Sequence, residues 1–213
     1  MRLALLFAII YPLFALAQVK EIQLFDGKTL VGWTDRQGGP PAEGWVVEDG
    51  CILRRSKAGD LYSKETFKDF EFSCEWKITA GTNSGIKYRV ADYSGAILGP
   101  EYQILDDAKW KYAPEHLGAT ASIYAIKGAS ADKKLKSPGV FNLSSIVAKG
   151  RKLEHWLNGE KVAEIEIGSE DWKKRHAKSK FKSRPDFGTK SGRIMLQEHG
   201  GQVRFRNLKI RKL

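Results

Sequence analysis

Charged and amide side chains alternate with apolar ones along two predicted strands, Ile86–Val90 and Glu101–Leu105, which a glycine-rich loop joins. Because successive side chains of a strand point to opposite faces, the polar members of each strand share one face. They are Lys87 and Arg89 in the first strand and Glu101 and Gln103 in the second. Taken alone, this patch is more typical of a solvated sheet face with cross-strand ion pairs than of a functional site.

A third predicted strand, Arg193–His199, carries the residue types that proton transfer needs. If its apolar residues point to the core, Gln197 and His199 face the opposite way and can join the patch. We predict Glu101 as a base and His199 as an acid, because a glutamate near Arg89 stays ionised and a histidine can deliver a proton. The alternative is a surface glutamate in an ion pair and a loop histidine with ordinary hydrogen bonds.

Amide, carboxylate and guanidinium groups together are suited to the hydroxyl groups of a sugar. The candidate hydrogen-bonding residues are Gln103, Gln197 and Asn83, with Lys87 either a further ligand or part of a solvated face. Aromatic side chains in loops can stack on a pyranose ring, although each one taken singly is more often a core residue. The candidates are Trp33, Trp110 and Tyr124.

A conventional two-carboxylate glycosidase is a rival enzymatic interpretation. Laminarinase-type sandwich enzymes carry a Glu-x-Asp-x-x-Glu strand, and the nearest match here, Glu164–Glu170, has the wrong middle acid and is one residue too long. We interpret this segment as a solvated strand face. No Gly-x-Ser-x-Gly element supports a nucleophilic triad. We expect no cofactor and assign no metal ligand. The adjacent acids Asp106-Asp107 could contribute to a cation site, but two such acids in a loop more often terminate a strand.

Short strands separated by turn residues dominate the chain. About a dozen strands with little helix predict an all-β fold, a two-sheet antiparallel β-sandwich wound as a jelly roll. We expect the first and last strands to pair, because an open edge would otherwise be exposed. The local predictions are an alternating strand at Phe70–Trp76, a strand at Ser122–Ile126, hairpin turns at Asn158-Gly159 and Gly200-Gly201, and a helical turn near Glu170–Arg175.

Residues 1–17 are typical of a secretory signal peptide. Arg2 precedes an apolar run, and small residues stand at Ala15 and Ala17. The run is shorter than the ~20 residues of a spanning helix, and Pro12 interrupts it. We therefore expect residues 18–213 to form one domain that is secreted or periplasmic and is not inserted in a membrane.

The formal net charge is +11, and much of it lies in the basic run Lys173–Arg184. Such a run permits binding to a polyanion, but a solvated, lysine-rich loop or short helix is the simpler interpretation. We expect no nucleic-acid partner, because no nucleic-acid motif accompanies the run. Two cysteines, Cys51 and Cys74, can form one disulfide in an oxidising compartment or remain as two buried thiols.

An ordered set of short segments extends from Leu24 to near the C-terminus. It consists of Leu24–Leu30 with Gly32-Trp33, Trp45–Gly50, Asp69–Phe72, Asn83–Ile86 with Arg89, Glu101–Asp106, Glu154–Gly159, Ser179–Phe181, Leu196–Gly200 and Phe205–Asn207. In this combination the chain resembles the 3-keto-disaccharide hydrolase family, which is similar in fold to concanavalin-like lectins and glucanases. The departures are Glu198, where the family usually has Asp, and the local sequences Ala121–Tyr124 and Phe141-Asn142.

The resemblance implies action on glycosides whose C3 hydroxyl has been oxidised to a ketone. The ketone acidifies the C2 hydrogen, so a base can remove it and the glycosidic oxygen can leave by β-elimination, with water added later. In this chemistry we assign Glu101 as the base, His199 as the acid and Arg89 as the group that polarises the ketone. A sugar 3-dehydrogenase is then the expected upstream partner. A non-catalytic carbohydrate-binding module of the same fold is the alternative.

Overall fold

In the computed structural model, which describes residues 21–213, fourteen strands form two antiparallel sheets. The eight-stranded sheet has the order β12 (Glu160–Glu166), β11 (Lys152–Leu157), β10 (Asn142–Lys149), β6 (Phe70–Ile78), β14 (Val203–Lys212), β4 (Cys51–Arg54) and β3 (Trp45–Glu48), with β1 (Glu21–Gln23) paired to β14. The six-stranded sheet has the order β2 (Trp33–Thr34), β5 (Leu61–Phe67), β13 (Gly192–Leu196), β7 (Asn83–Tyr93) and β8 (Ala96–Leu98), with β9 (Glu101–Leu105) paired to β7. The predicted signal peptide, residues 1–17, lies outside the described residues.

The hydrophobic core lies between the two sheets, and β6 shows how the sequence builds it. Phe70, Phe72, Cys74 and Trp76 are buried, while the residues between them keep partial exposure. This is the period of two that a strand with one core face requires. The predicted alternation at Phe70–Trp76 and the predicted two-sheet sandwich are both confirmed.

Two predicted strand connections are confirmed. Asn158 and Gly159 have φ values of 50° and 90°, the positive values that a two-residue type I′ hairpin demands, and they join β11 to β12. The first and last strands pair as expected, with Ile22 opposite Ile210. This pairing covers part of the edge of β14 that would otherwise present unpaired backbone groups.

Two other local predictions are wrong. Gly200-Gly201 connects β13 to β14, but these strands lie in different sheets, so the connection crosses the sandwich instead of closing a hairpin. Residues 122–126 form turns with isolated bridges in place of a strand. The reason is local backbone geometry, because Ala121 and Ala125 have φ values of 66° and 60° and interrupt an extended chain.

In the described part of the chain, two helices lie outside the sheets, α1 (Asp107–Trp110) and α2 (Glu170–Lys178). The predicted helical turn near Glu170–Arg175 therefore continues to Lys178. Ser169 caps α2 by accepting a hydrogen bond from the Trp172 backbone N–H, as an N-cap serine does. Among residues 21–213, no helix is long and apolar enough to cross a membrane.

The two cysteines are buried free thiols. Cys51 lies in β4 and Cys74 in β6, and β14 runs between these two strands. Because neighbouring strands are ~4.8 Å apart, two cysteines on either side of a third strand exceed the ~7 Å limit between disulfide-bonded Cα atoms. Of the two alternatives, the structure shows the free thiols.

Candidate active site

The outer face of the six-stranded sheet carries the polar patch, because β7 and β9 pair with their polar residues in register. Lys87 lies opposite Glu101, and Gly85 lies opposite Gln103. The Lys87 Nζ is 3.7 Å from the Glu101 Oε2. The prediction that these two strands pair and present Lys87, Glu101 and Gln103 on one face is confirmed.

Gly85 forms the floor beneath the Glu101 carboxylate. A Cβ placed at Gly85 would lie 2.5 Å from the Glu101 Oε1, so the absence of a side chain there is what lets the carboxylate lie flat on the sheet. Glu101 is only 5% exposed. Burial of a carboxylate costs folding free energy unless a cation compensates its charge. Glu101 therefore differs from an ordinary glutamate on a solvated sheet face.

Burial raises the pKa of the Glu101 carboxyl, and the nearby Asp60 carboxylate raises it further. The positive charges of Lys87 and Lys180 act in the opposite sense and lower it, but they do not overcome the burial. A glutamate whose pKa is raised toward neutrality is a stronger base than an ordinary surface glutamate, while the two lysines favour its ionised form.

Lys180 belongs to the site, although the basic run around it was predicted to be a solvated loop or short helix. Its Nζ lies 4.3 Å from the centroid of the Tyr124 ring. Burial lowers the pKa of the Lys180 ammonium, the Glu101 carboxylate opposes that shift, and the positive charge of Lys87 adds to it. Lys180 is exposed, so it lies at the edge of the site, within electrostatic reach of Glu101.

A stack of aromatic rings holds the chain on both sides of Lys180. The Phe181 and Phe187 rings are parallel within 12° with centroids 4.0 Å apart, and the Trp172 ring lies 6.3 Å from that of Phe187. Ser179, which ends α2, accepts a hydrogen bond from the Phe181 backbone N–H. In the sequence, the sign that Lys180 matters is the segment Ser179–Phe181, which is one of the ordered family-like segments. The prediction gave its lysine no role.

Tyr124 closes one side of the site. Its backbone N–H donates to the Glu101 carbonyl at 3.0 Å, and its half-buried ring lies under Lys180. Burial raises the pKa of the Tyr124 hydroxyl, and the Glu101 charge adds to the shift. Tyr124 therefore lies beside Glu101, and its contact with a sugar stays a prediction.

The other two aromatic candidates have different surroundings. Trp110 ends α1 and is 45% exposed, with its ring 6.4 Å from that of Tyr112, so it is available to a ligand. Trp33 is 2% exposed and donates its indole N–H to the Leu24 carbonyl at 2.8 Å. The suggestion that Trp33 stacks on a sugar is therefore wrong, because its ring is part of the core.

Three amide side chains line the sheet beside Glu101. The Gln103 Nε2 donates to the Asn83 Oδ1 at 2.9 Å. The Gln197 backbone N–H donates to the Gly85 carbonyl at 2.9 Å, which places Gln197 next to the floor of the site. The three predicted hydrogen-bonding residues, Asn83, Gln103 and Gln197, thus border the same part of β7.

His199 lies at the margin of this region. Its side chain is exposed, and the next residue, Gly200, bridges to Asn83. The ion pairs and hydrogen bonds of residues 21–213 do not join His199 to Glu101. Its neighbour Glu198 pairs instead with Arg54, so the acid before the histidine anchors the β13–β14 connection.

Arg89 does not lie with Glu101, and its predicted place in the site is wrong. The pairing of β7 with β13 contains a bulge. Val90 pairs with Arg193 and Lys87 pairs with Met195, so two residues of β7 lie opposite one residue of β13. This bulge, together with the φ of 51° at Arg89, breaks the alternation on which the prediction rested.

The Arg89 side chain is 0% exposed and its role is structural. It donates to the Lys68 carbonyl at 2.7 Å, the Gly188 carbonyl at 2.8 Å and the Asp69 carboxylate at 3.2 Å. These bonds tie β7 to the β5–β6 turn and to the loop before β13. We therefore assign no role in chemistry to Arg89.

The acids that follow β9 have structural partners. Asp106 accepts hydrogen bonds from the backbone N–H groups of Gly81 and Lys109, and so caps α1. Asp107 lies 2.8 Å from the Lys133 Nζ and accepts from Thr120. Within residues 21–213, no group of three or more His, Cys, Asp or Glu side chains has the proximity to hold a metal ion.

Comparison with known proteins identifies the family of this chain. Residues 20–211 match the family described as 3-keto-alpha-glucoside-1,2-lyase-like domain. A Bacteroides thetaiotaomicron protein named 3-keto-disaccharide hydrolase is 29% identical, and the match covers 90% of this chain and 78% of that protein.

Solved structures agree on the fold. A Parabacteroides distasonis protein, provisionally named a glycosyl hydrolase, superposes with a TM-score of 0.80 at 34% identity, covering 91% of this chain and 94% of that one. A carbohydrate-binding module from Bacillus subtilis superposes with a TM-score of 0.55 at 14% identity, over 85% of this chain and 96% of that one, a likeness of fold alone. The family match covers nearly the whole chain, and the jelly-roll sandwich accords with it. The chain belongs to the 3-keto-alpha-glucoside-1,2-lyase-like family of carbohydrate-active enzymes.

Proposed function

We propose that this enzyme cleaves glycosides whose C3 hydroxyl has been oxidised to a ketone. The family match and the name of the Bacteroides relative support the substrate class. The observation that carries the proposal is the Glu101 carboxylate, buried over Gly85 and flanked by Lys87 and Lys180. One base between two cations is what proton removal next to a ketone requires.

In the first step, Glu101 takes the proton from C2 of the ketosugar. The electron pair of the C2–H bond moves toward C3, and negative charge develops on the ketone oxygen. The ammonium groups of Lys87 and Lys180 are the positive charges that act on Glu101, so they replace Arg89 as the groups that stabilise this oxyanion.

In the second step, the enolate expels the glycosidic oxygen from C1, and a C1–C2 double bond forms. The leaving oxygen takes a proton, for which the exposed imidazole of His199 stays our predicted donor. Addition of water across the double bond then gives net hydrolysis and returns a proton to C2. The amides of Asn83, Gln103 and Gln197 are the predicted partners of the sugar hydroxyls.

The proposal is tested by comparing a 3-keto-glucoside with the same glucoside left unoxidised. We expect release of the leaving group from the ketone form only, because the unoxidised C2 hydrogen is far too weakly acidic for a carboxylate base. Binding of the sugar with no turnover would support a non-catalytic module instead. Equal cleavage of both forms would support a conventional glycosidase.

The ketone must be made by an earlier oxidation at C3, so a sugar 3-dehydrogenase acting before this enzyme is part of the proposal. Residues 1–17 add the proposal that the enzyme works outside the cytoplasm. Fractionation of cells that express the full chain checks this point, with the mature protein expected to start at residue 18.

A further inference from the structure

A small cavity lies between the turn that follows Tyr124 and the second half of α2. Its volume is about 220 Å³, and it is lined by Leu117, Ala125, Ile126, Asp171, Lys174, Arg175 and Lys178. Ala125 follows Tyr124 directly, and Lys178 precedes Lys180 by two residues. The cavity is therefore close to the Glu101 site, because the Tyr124 backbone N–H donates to the Glu101 carbonyl at 3.0 Å and the Lys180 Nζ lies 4.3 Å from the Tyr124 ring.

The floor of this cavity is apolar and its rim is basic. Leu117, Ala125 and Ile126 supply apolar surface of the kind that one face of a sugar ring can cover. The cavity is smaller than the ~300 Å³ of the smallest pockets for drug-sized ligands, which suits a single sugar unit. A wider groove of about 580 Å³ continues from it and shares Leu117 and Arg175, leaving room for further units.

The positive charge of the rim is only partly neutralised by the protein. Asp171 accepts from Arg175 at 2.7 Å and from Lys127 at 3.4 Å, so these cations are paired. Lys174 and Lys178 are exposed, and neither forms an ion pair with an acidic group of residues 21–213.

The spacing of these two lysines argues for a ligand. They lie four residues apart on the same face of α2, an arrangement of like charges that destabilises a helix. The helix dipole explains a cation at Lys178 in the last turn, but it does not explain one at Lys174 in the middle of the helix. An anionic group between the two lysines would remove the repulsion.

We propose that this cavity is the subsite for the leaving group, and that the leaving sugar carries a negative charge, as a carboxylate or a sulfate ester. This inference rests on the proposed cleavage of 3-keto-glycosides. The ketosugar lies over Gly85, the glycosidic bond passes beside Lys180 and Tyr124, and the leaving sugar covers the apolar floor with its anionic group between Lys174 and Lys178.

The test compares two 3-keto-glucosyl disaccharides of the same linkage, one with glucose and one with glucuronate as the leaving sugar. We expect kcat/KM to be about 2- to 30-fold higher for the glucuronate substrate at low salt, the effect of two exposed ion pairs. The preference should shrink as NaCl is added, because these charges are screened. A third disaccharide with a sulfated leaving sugar distinguishes the two sources of charge.

The double variant Lys174→Gln, Lys178→Gln should bring the ratio of the two kcat/KM values close to one. The matched control is Lys57→Gln, Lys149→Gln, which removes two exposed lysines distant from the cavity and should keep the wild-type ratio. A wild-type ratio of one, or equal loss of the ratio in both double variants, would overturn the subsite. Cleavage of neither disaccharide would instead defeat the proposed function itself, and with it the subsite.

Discussion

Replacing Glu101 by Gln should separate activity from stability. The amide has nearly the same shape as the carboxylate and still fits over Gly85, but it cannot accept the C2 proton. Loss of a general base typically costs about 10²- to 10⁴-fold in rate. We therefore expect Glu101→Gln to lose activity by that factor while it remains folded.

The same variant should be more stable than the wild type at neutral and alkaline pH. Burial raises the folded-state pKa of Glu101 above its unfolded value, so stability is lost as the pH rises from the unfolded to the folded pKa, and the loss is complete above the folded pKa. Each unit of the pKa difference corresponds to about 1.4 kcal/mol, and about 1 kcal/mol shifts the Tm of a chain this size by ~2–4 °C. Below the unfolded pKa both states are protonated and the gain should vanish.

The assay measures leaving-group release and thermal unfolding for wild type, Glu101→Gln and Glu160→Gln. Glu160 is exposed at the start of β12, so its variant controls for the loss of one negative charge. We expect the Tm of Glu101→Gln to exceed the wild-type value near pH 8 and to approach it near pH 4. Full activity in Glu101→Gln, or a Tm that falls by the same amount at both pH values, would refute our account of this residue.

Three further predictions concern Lys180, Arg89 and His155. Lys180→Ala should lower kcat by about 10²- to 10³-fold, the range for loss of one oxyanion-stabilising group, and Lys180→Arg should recover part of it. Arg89→Ala should lower the free energy of unfolding, at about 1–3 kcal/mol for each carbonyl left unpaired, while folded protein keeps its activity. Burial lowers the pKa of His155 to about 4. The free energy of unfolding should therefore fall by about 3 kcal/mol as the pH falls from 6.5 to 4. Urea unfolding of His155→Gln should lack this pH dependence.

Each of these predictions has a result that contradicts it. Unchanged kcat in Lys180→Ala would show that Lys180 takes no part in the chemistry. A Tm so low that unfolding accounts for the lost activity would show that its role is structural. A folded but inactive Arg89→Ala would return Arg89 to the active site. Neutral His155 bridges the Tyr88 hydroxyl and the Ala121 carbonyl. An unaltered pH profile of stability in His155→Gln would show that a group other than His155 titrates in that range.

Predictions from the sequence are correct for elements whose side chains or turn residues follow one regular local pattern. The alternation of Phe70–Trp76 and the Asn158-Gly159 turn each follow from local backbone rules, and both are found in the structure. Lys87, Glu101 and Gln103 share a face for the same reason, since no irregularity separates them from their partners.

Prediction failed where the backbone departs from a regular period or where distant segments meet. Arg89 is two residues from Lys87, yet the bulge in β7 turns it away from the shared face. Lys180 is 79 residues from Glu101 in the sequence, and only the placement of α2 by its aromatic stack brings the two charges together. A run of lysines gives no sign of which one a tertiary contact will select.

The most direct test of the central claim is NMR observation of a 3-keto-glucoside in D₂O with the wild-type enzyme and with Glu101→Gln. We predict that the wild type releases the leaving group and that the ketosugar product carries deuterium at C2, at a rate well above the enzyme-free control. Glu101→Gln should show neither change at a comparable rate. Release of the leaving group with the C2 hydrogen retained would contradict proton abstraction by Glu101, and so the account as a whole.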